Sequence, residues 1–189
     1  GVCALGLGSQ LRVLPFRFLA RRCLPLCSGL HFSCLHRDAH DARDEDEGTP
    51  KDTALNISDT GEFVVNLVDE KLLPAMNVCA VPLPAGEDET AYAGLEMLPS
   101  AKIKPPRIAA SPAQLECREW RTIALDRSAR RLILGEVVQV HVRDDIVDSR
   151  LRIDQDKLAL IGRLGGGGSY MRLKDRFELK RLDVSDLAA

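Results

Sequence analysis

Pro50-Lys51-Asp52-Thr53-Ala54-Leu55-Asn56-Ile57-Ser58-Asp59-Thr60-Gly61-Glu62-Phe63-Val64-Val65-Asn66-Leu67-Val68 reads as a helix start, a short helix, a stop and a strand. Asp52 or Thr53 can cap the helix, because either side-chain oxygen accepts from the free N–H groups of a first turn. Ala54 to Asp59 supply about two turns, with Leu55 and Ile57 available to a core. Gly61 stands just past the end, where the backbone needs positive φ. Phe63, Val64, Val65, Leu67 and Val68 follow as a buried strand. Lys51 and Thr53 flank a helix N-terminus, whose free N–H donors and positive dipole end suit a phosphate group. On the competing reading Asp52 and Thr53 only cap a helix, since every helix has orphan donors to satisfy.

Outward from this stretch the chain alternates loops with extended runs. Asp69 to Asn77 predicts a second helix with Leu72, Leu73 and Met76 at helical spacing, shortened or started late by Pro74. Residues 81–90, with Pro82, Pro84 and Gly86, form a loop, and Tyr92 to Leu98 carry a short apolar element. Lys102 to Ile108 is extended, because each proline restricts the residue before it. Its cations can attract an anionic nucleotide or simply guard a strand edge. Pro112 to Ile123 is a strand, and Arg130 to Val142 is the clearest strand of all. There Val138, Val140 and Val142 should share one face, and Val137, Gln139 and His141 the other. Leu125 to Ala129 fits the hairpin connection. His141 reads as a half-exposed sheet residue or a catalytic one, and no Ser or Cys nucleophile motif accompanies it. Asp144, Asp145, Asp148, Asp154 and Asp156 read as turn and cap residues. The four consecutive glycines in Gly162-Arg163-Leu164-Gly165-Gly166-Gly167-Gly168-Ser169-Tyr170 permit close approach of backbone to a ligand. They form neither a dinucleotide fingerprint nor a P-loop. Phe177, Leu179 and Leu182 read as a last strand, with 184–189 as a tail.

Composition narrows the function classes. The 189 residues suit one domain with appendages. A net charge of -2 and only 4% aromatic residues argue against a nucleic-acid binder built on a positive field and base stacking. No apolar run reaches the ~20 residues needed to span a bilayer, so no transmembrane segment is expected. Six cysteines, four of them within the first 34 residues, form no regular disulfide framework. Cys79 and Cys117 read as buried, reduced thiols. The acidic run from Asp44 to Glu47 reads as a solvated linker rather than a metal site.

Lys51-Asp52-Thr53, Asn56-Ile57 and Thr60-Gly61-Glu62-Phe63-Val64-Val65-Asn66 together resemble the flavin reductase-like, FMN-binding split-barrel family. Similar further stretches are Ala75-Met76-Asn77, the loop at Pro84, Gly86 and Glu89, Ala93-Gly94-Leu95 and Lys104-Pro105-Pro106-Arg107. So are Ser111-Pro112 with Glu116-Cys117, Gly135-Glu136-Val137-Val138, and Leu160 to Gly167 with Tyr170. The resemblance implies a mainly β fold with short helices, an FMN-binding split β-barrel of Greek-key type. It implies FMN as cofactor and NAD(P)H as electron donor, so that the partners are a flavin and a nicotinamide nucleotide. It also implies a homodimer with the flavin near the subunit interface. Cofactor-binding candidates are Lys51, Asp52 and Thr53 for the phosphate, and Arg163, Gly165, Gly166 and Tyr170 near the flavin.

Residues 1–37 do not resemble the rest, and the expected division is 1–44, an atypical N-terminal segment; 45–183, the split-barrel domain; and 184–189, a tail. Relatives normally carry two or more strands before the Lys-Asp-Thr motif, including a Pro-Phe-Ser-Phe-Phe-type stretch. Here Pro15 to Pro25 occupies that place. Three readings stay open for it: a transit peptide rich in Arg without acids, zinc ligation by Cys23, Cys27, Cys34, His31 and His36, or a mistranslated replacement of family sequence. The compartment follows: cytoplasmic, or mitochondrial if the segment is a transit peptide. Two functions are carried forward: hydride transfer from NAD(P)H to flavin, and a degenerate, non-catalytic module acting only in dimerisation or protein interaction.

Overall fold

The computed structural model describes residues 11–14, 31–35, 52–81, 83–84, 86–124, 131–164 and 168–187. The described chain is mostly β with a few short helices. Its main sheet is built on one long antiparallel hairpin, β6 (Ala113–Ala124) and β7 (Arg131–Arg143). On the far side of β6 lies β3 (Glu62–Asn66), paired from Glu62↔Arg118 to Asn66↔Gln114. On the far side of β7 lie β1 (Leu11–Leu14) and β2 (His31–Leu35), both antiparallel to it. Two small ribbons stand apart: β4 (Met97–Leu98) with β5 (Arg107–Ile108), and β8 (Ile161–Arg163) with β9 (Tyr170–Arg172). The N-terminal transit, zinc and replacement readings, and the acidic run, fall on residues outside the described ones, the backbone of β1 and β2 excepted.

The opening stretch folds as its sequence dictates. Helix α1 spans Asp52–Thr60 and stops at Gly61, whose φ of 66° is the left-handed conformation a helix end wants. Gly61 N donates to Ile57 O at 2.7 Å, and Glu119 N donates to Gly61 O at 2.8 Å, which locks the turn onto the sheet. Ile57 is buried, but Leu55 is 42% exposed. Two residues apart on a helix point about 200° apart, so only one of them can face the core. The second helix, α2 (Leu73–Val78), starts late because of Pro74 in its first turn, as expected. Leu72 at its entry is buried and its N–H donates to Asp69 Oδ1 at 2.9 Å. A one-turn helix α3 (Glu89–Tyr92) is capped by Asp88, and α4 (Gln155–Leu158) by Asp154.

The core gathers Ile57, Phe63, Ala113, Cys117, Ile133, Val137, Val140, Val142 and Ile146. Val137 thus joins the side of Val140 and Val142, against the simple alternation expected of β7. The reason is a bulge: Glu116 pairs with Gln139 and Cys117 with Val137, so Val138 is an extra residue that resets the alternation. A second irregularity lies between Glu119 and Arg121, which leaves Trp120 as the extra residue of β6, 58% exposed. Gly135 is required by close packing. A Cβ there would lie 2.4 Å from Phe63 Cζ and 3.2 Å from Cys117 Cβ.

The C-terminal reading is corrected. Beyond β9 the described chain has no strand, only a 3₁₀ turn at Val184–Leu187, and Phe177 and Leu179 are 89% and 88% exposed. Alternating apolar residues make a strand only where a neighbouring strand completes the hydrogen bonds, and no described strand lies beside them.

Candidate cofactor site

Two groups of candidate residues are placed by different elements. Asp52 and Thr53 occupy the first turn of α1 and are exposed. They lie inside the helix, and Lys51, before it, is outside the described residues. Asp52 complements the positive end of the helix dipole. Arg163 and Tyr170 face each other across the β8–β9 ribbon in register. Arg163 Nη1 donates to Tyr170 Oη at 2.8 Å, and the guanidinium carbon sits 5.1 Å from the ring centroid. Gly165 and Gly166 lie outside the described residues. Gly162 allows the ribbon to close, since a Cβ there would meet Met171 Cγ at 3.2 Å. The ribbon is hung from the end of β3: Ile161 N donates to Val68 O at 3.2 Å, and Asp69 bridges Leu160. The structure therefore joins Arg163 to Tyr170 and leaves Asp52 and Thr53 as a separate exposed pair.

Beside these exposed parts lies a buried polar cluster that the sequence did not announce. Glu116 and His141, 0% and 1% exposed, meet through a 2.5 Å Oε1–Nε2 hydrogen bond across the sheet. The Glu116 carboxylate also accepts from Ala101 N and Lys102 N, each at 2.7 Å. Burial pushes this carboxyl up, but the hydrogen bonds from Ala101, His141 and Lys102 outweigh it and hold it below its usual value. Burial lowers His141, and the nearby Arg107 charge adds to that, against the opposing pull of Glu116. His141 is thus neutral, with Nε2–H donating to the carboxylate. Its Nδ1 has no partner among the described residues. Gln114, fully buried, donates through Nε2 to Ile108 O and Ser111 O, each at 2.9 Å, and accepts from Arg107 at 3.4 Å. The expected half-exposed histidine is instead a sealed one. Neither Glu116 nor His141 reaches solvent, so neither can act as acid or base on a ligand. The usable signal was a Glu at an inward strand position, which needs a partner when buried.

A family model described as the flavin reductase like domain matches residues 47–161, from just before α1 to the first residue of β8. The chain belongs to this family. The matched span takes in α1, Gly61, β3 and the whole β6–β7 hairpin, and its end meets the ribbon that carries Arg163 and Tyr170. An uncharacterized protein of Deinococcus radiodurans is 44% identical over 141 residues, 74% of this chain and 61% of that protein. The chain therefore spans about three fifths of that relative's length. Among solved structures, nitrilotriacetate monooxygenase component B from Bacillus cereus is 33% identical, with a TM-score of 0.68 over 79% of this chain and 70% of that one. A Shewanella frigidimarina protein, named as a candidate flavin reductase with a split barrel domain, is 20% identical. Its TM-score is 0.62 over 69% of this chain and 65% of that one. The mostly β architecture of this flavin reductase-like chain is the split-barrel fold of such neighbours.

Cys117 is fully buried and Cys79 half-buried, its Sγ donating weakly to Glu89 O; neither forms a disulfide among the described residues. Among the described residues no cluster of His, Cys, Asp and Glu is arranged to hold a metal, and no helix is long and apolar enough to cross a membrane.

Proposed function

We propose that this chain is an FMN-binding oxidoreductase that takes hydride from NAD(P)H. The observation that carries the reading is the family match over residues 47–161, which contains the entire α1–Gly61–β3 unit. The residues present fit a flavin nucleotide. An exposed helix first turn with Asp52 and Thr53 offers N–H and hydroxyl donors to a phosphate. An Arg163 guanidinium held against Tyr170 offers a fixed cation beside an aromatic edge. Lys51 and Thr53 would hold the phosphate, with Asp52 orienting the turn; Arg163, Tyr170, Gly165 and Gly166 would approach the flavin. Bound FMN supplies the redox chemistry, so the protein's task is to bind and orient. That division agrees with a Glu116–His141 pair buried out of reach of any substrate.

The domain is assigned to residues 45–183, and Cys79 and Cys117, outside any disulfide among the described residues, fit a reducing compartment, the cytoplasm. We also assign a homodimer. Phe177, Leu179 and Trp120 are large apolar side chains left exposed on one chain, and association would cover them. A non-catalytic dimerisation module would share that surface but bind no flavin. Titration of the purified chain with FMN, followed by flavin fluorescence and visible absorbance, separates the two. Saturable one-to-one binding followed by NAD(P)H oxidation supports the oxidoreductase, and absence of binding removes it.

A further inference from the structure

The segment from Pro99 to Pro106 joins β4 to β5 with no strand ladder of its own, yet its backbone is held throughout. Glu116 takes Ala101 N and Lys102 N, each at 2.7 Å. Glu62 Oε2 takes Lys104 N at 2.9 Å, Arg118 Nη2 donates to Lys102 O at 3.1 Å, and Arg107 Nε donates to Pro99 O at 3.2 Å. Ile103 is buried, and Pro105 and Pro106 fix their own φ. Such a loop has its shape before any ligand arrives, because the buried Glu116 and the neighbouring Glu62, Arg107 and Arg118 side chains specify it. It turns outward two ammonium groups, Lys102 and Lys104, both exposed. Neither is ion-paired among the described residues. The carboxylates beneath them are already engaged: Glu116 with backbone N–H groups and His141, Glu62 with Lys104 N and the Arg118 guanidinium 3.6 Å away.

The position of these lysines is fixed against β3. Ile108 N donates to Asn66 Oδ1 at 2.9 Å, at one end of the strand, and Lys104 N meets Glu62 at the other. Four residues of strand separate those anchors, about 13 Å. The ribbon with Arg163 and Tyr170 hangs just beyond Asn66, at Val68 and Asp69. Lys104 thus stands a strand's length from the candidate flavin end, and Lys102, held by Glu116 opposite Val64, stands between. The offset suits the far phosphates of a dinucleotide rather than the flavin's own.

We propose that Lys102 and Lys104, presented on this preformed loop, bind the phosphate groups on the adenosine half of the nicotinamide dinucleotide. The assignment rests on the oxidoreductase reading for its choice of ligand. A guarded strand edge is the competing account, and it predicts no ligand dependence on these lysines.

The test uses the full chain with FMN in excess and NADP⁺ as the non-reacting probe, titrated by calorimetry at low ionic strength. The native chain should bind NADP⁺ with an affinity that falls as salt is added. The Lys102→Gln/Lys104→Gln double variant should bind about tenfold more weakly and lose most of that salt dependence, while Lys102→Arg/Lys104→Arg keeps it. FMN affinity should be unchanged in both variants. Equal NADP⁺ affinity in the native chain and the Gln variant overturns the proposal, as does absence of NADP⁺ binding by the native chain. Lysine-dependent NADP⁺ binding without FMN binding would support the lysine site and remove the flavin reading, so the two fail separately.

Discussion

The β6–β7 hairpin with its pinned loop and the pair of candidate flavin elements are built on opposite terms. Around Glu116 the polar groups are sealed, and the carboxylate satisfies two backbone donors and a histidine at once. At Asp52, Thr53, Arg163 and Tyr170 the groups are exposed or half-exposed, and Arg163 finds its side-chain partner in Tyr170. The Glu116 carboxylate thus finds its partners within the chain. Under the proposed reading the second region would meet a partner from outside. A scaffold rigid at its centre and unsatisfied at one end is what a cofactor carrier needs, because the cofactor brings the chemistry and the protein brings position.

Breaking the sealed region should cost most. Glu116→Ala removes one acceptor and strands three donors, Ala101 N, Lys102 N and His141 Nε2. A buried donor left without its acceptor costs about 1–3 kcal/mol, and three are stranded here, so a urea titration should show a large fall in midpoint. A change smaller than about 1 kcal/mol, the scale of an exposed pair, would mean that the cluster is not sealed. Gly135→Ala comes next. The added Cβ would press on Phe63 Cζ at 2.4 Å, a contact that forces the ring or β7 to move. Overpacking of this kind costs about 1–3 kcal/mol, read as a lower thermal midpoint, and Gly135→Ala paired with Phe63→Leu should recover part of it.

Acid should loosen the same region by a smaller amount. His141 is depressed in the folded chain, chiefly by burial, so below about pH 6.5 the unfolded chain takes a proton that the folded chain refuses. Its contribution is therefore fully present above that pH and is lost as pH falls toward the folded value. The slope is at most one proton's worth, about 1.4 kcal/mol per pH unit. Glu116, also depressed by its hydrogen bonds despite burial, adds a second loss below its unperturbed value of 4.5. Urea midpoints of the native chain should fall between pH 6.5 and 5, and those of His141→Gln should not. Parallel curves for the two would contradict the neutral, buried histidine.

The two regions were also unequally legible in sequence. Gly61 after a short polar helix, and apolar runs at 63–68 and 130–142, are local signals, and α1, β3 and β7 follow them closely. Long-range pairing is not local. The bulge at Val138 depends on how β7 meets β6, so strict alternation misplaced Val137. Phe177 and Leu179 carry a strand pattern, yet no described strand lies beside them. Glu116 and His141 lie 25 positions apart, and nothing near either residue points to the other. On the exposed side, the Gly-rich segment alone reads as a linker. Family resemblance singled out Arg163 and Tyr170, and the β8–β9 register brings them together.

The most direct test is FMN titration of the native chain beside Lys51→Ala. The account predicts one-to-one binding by the native chain. It predicts that loss of the charge-assisted contact in Lys51→Ala weakens binding by about 1.5–3 kcal/mol, with the urea midpoint unchanged. No FMN binding by the native chain, or equal affinity in both, would contradict a cofactor site at the head of α1.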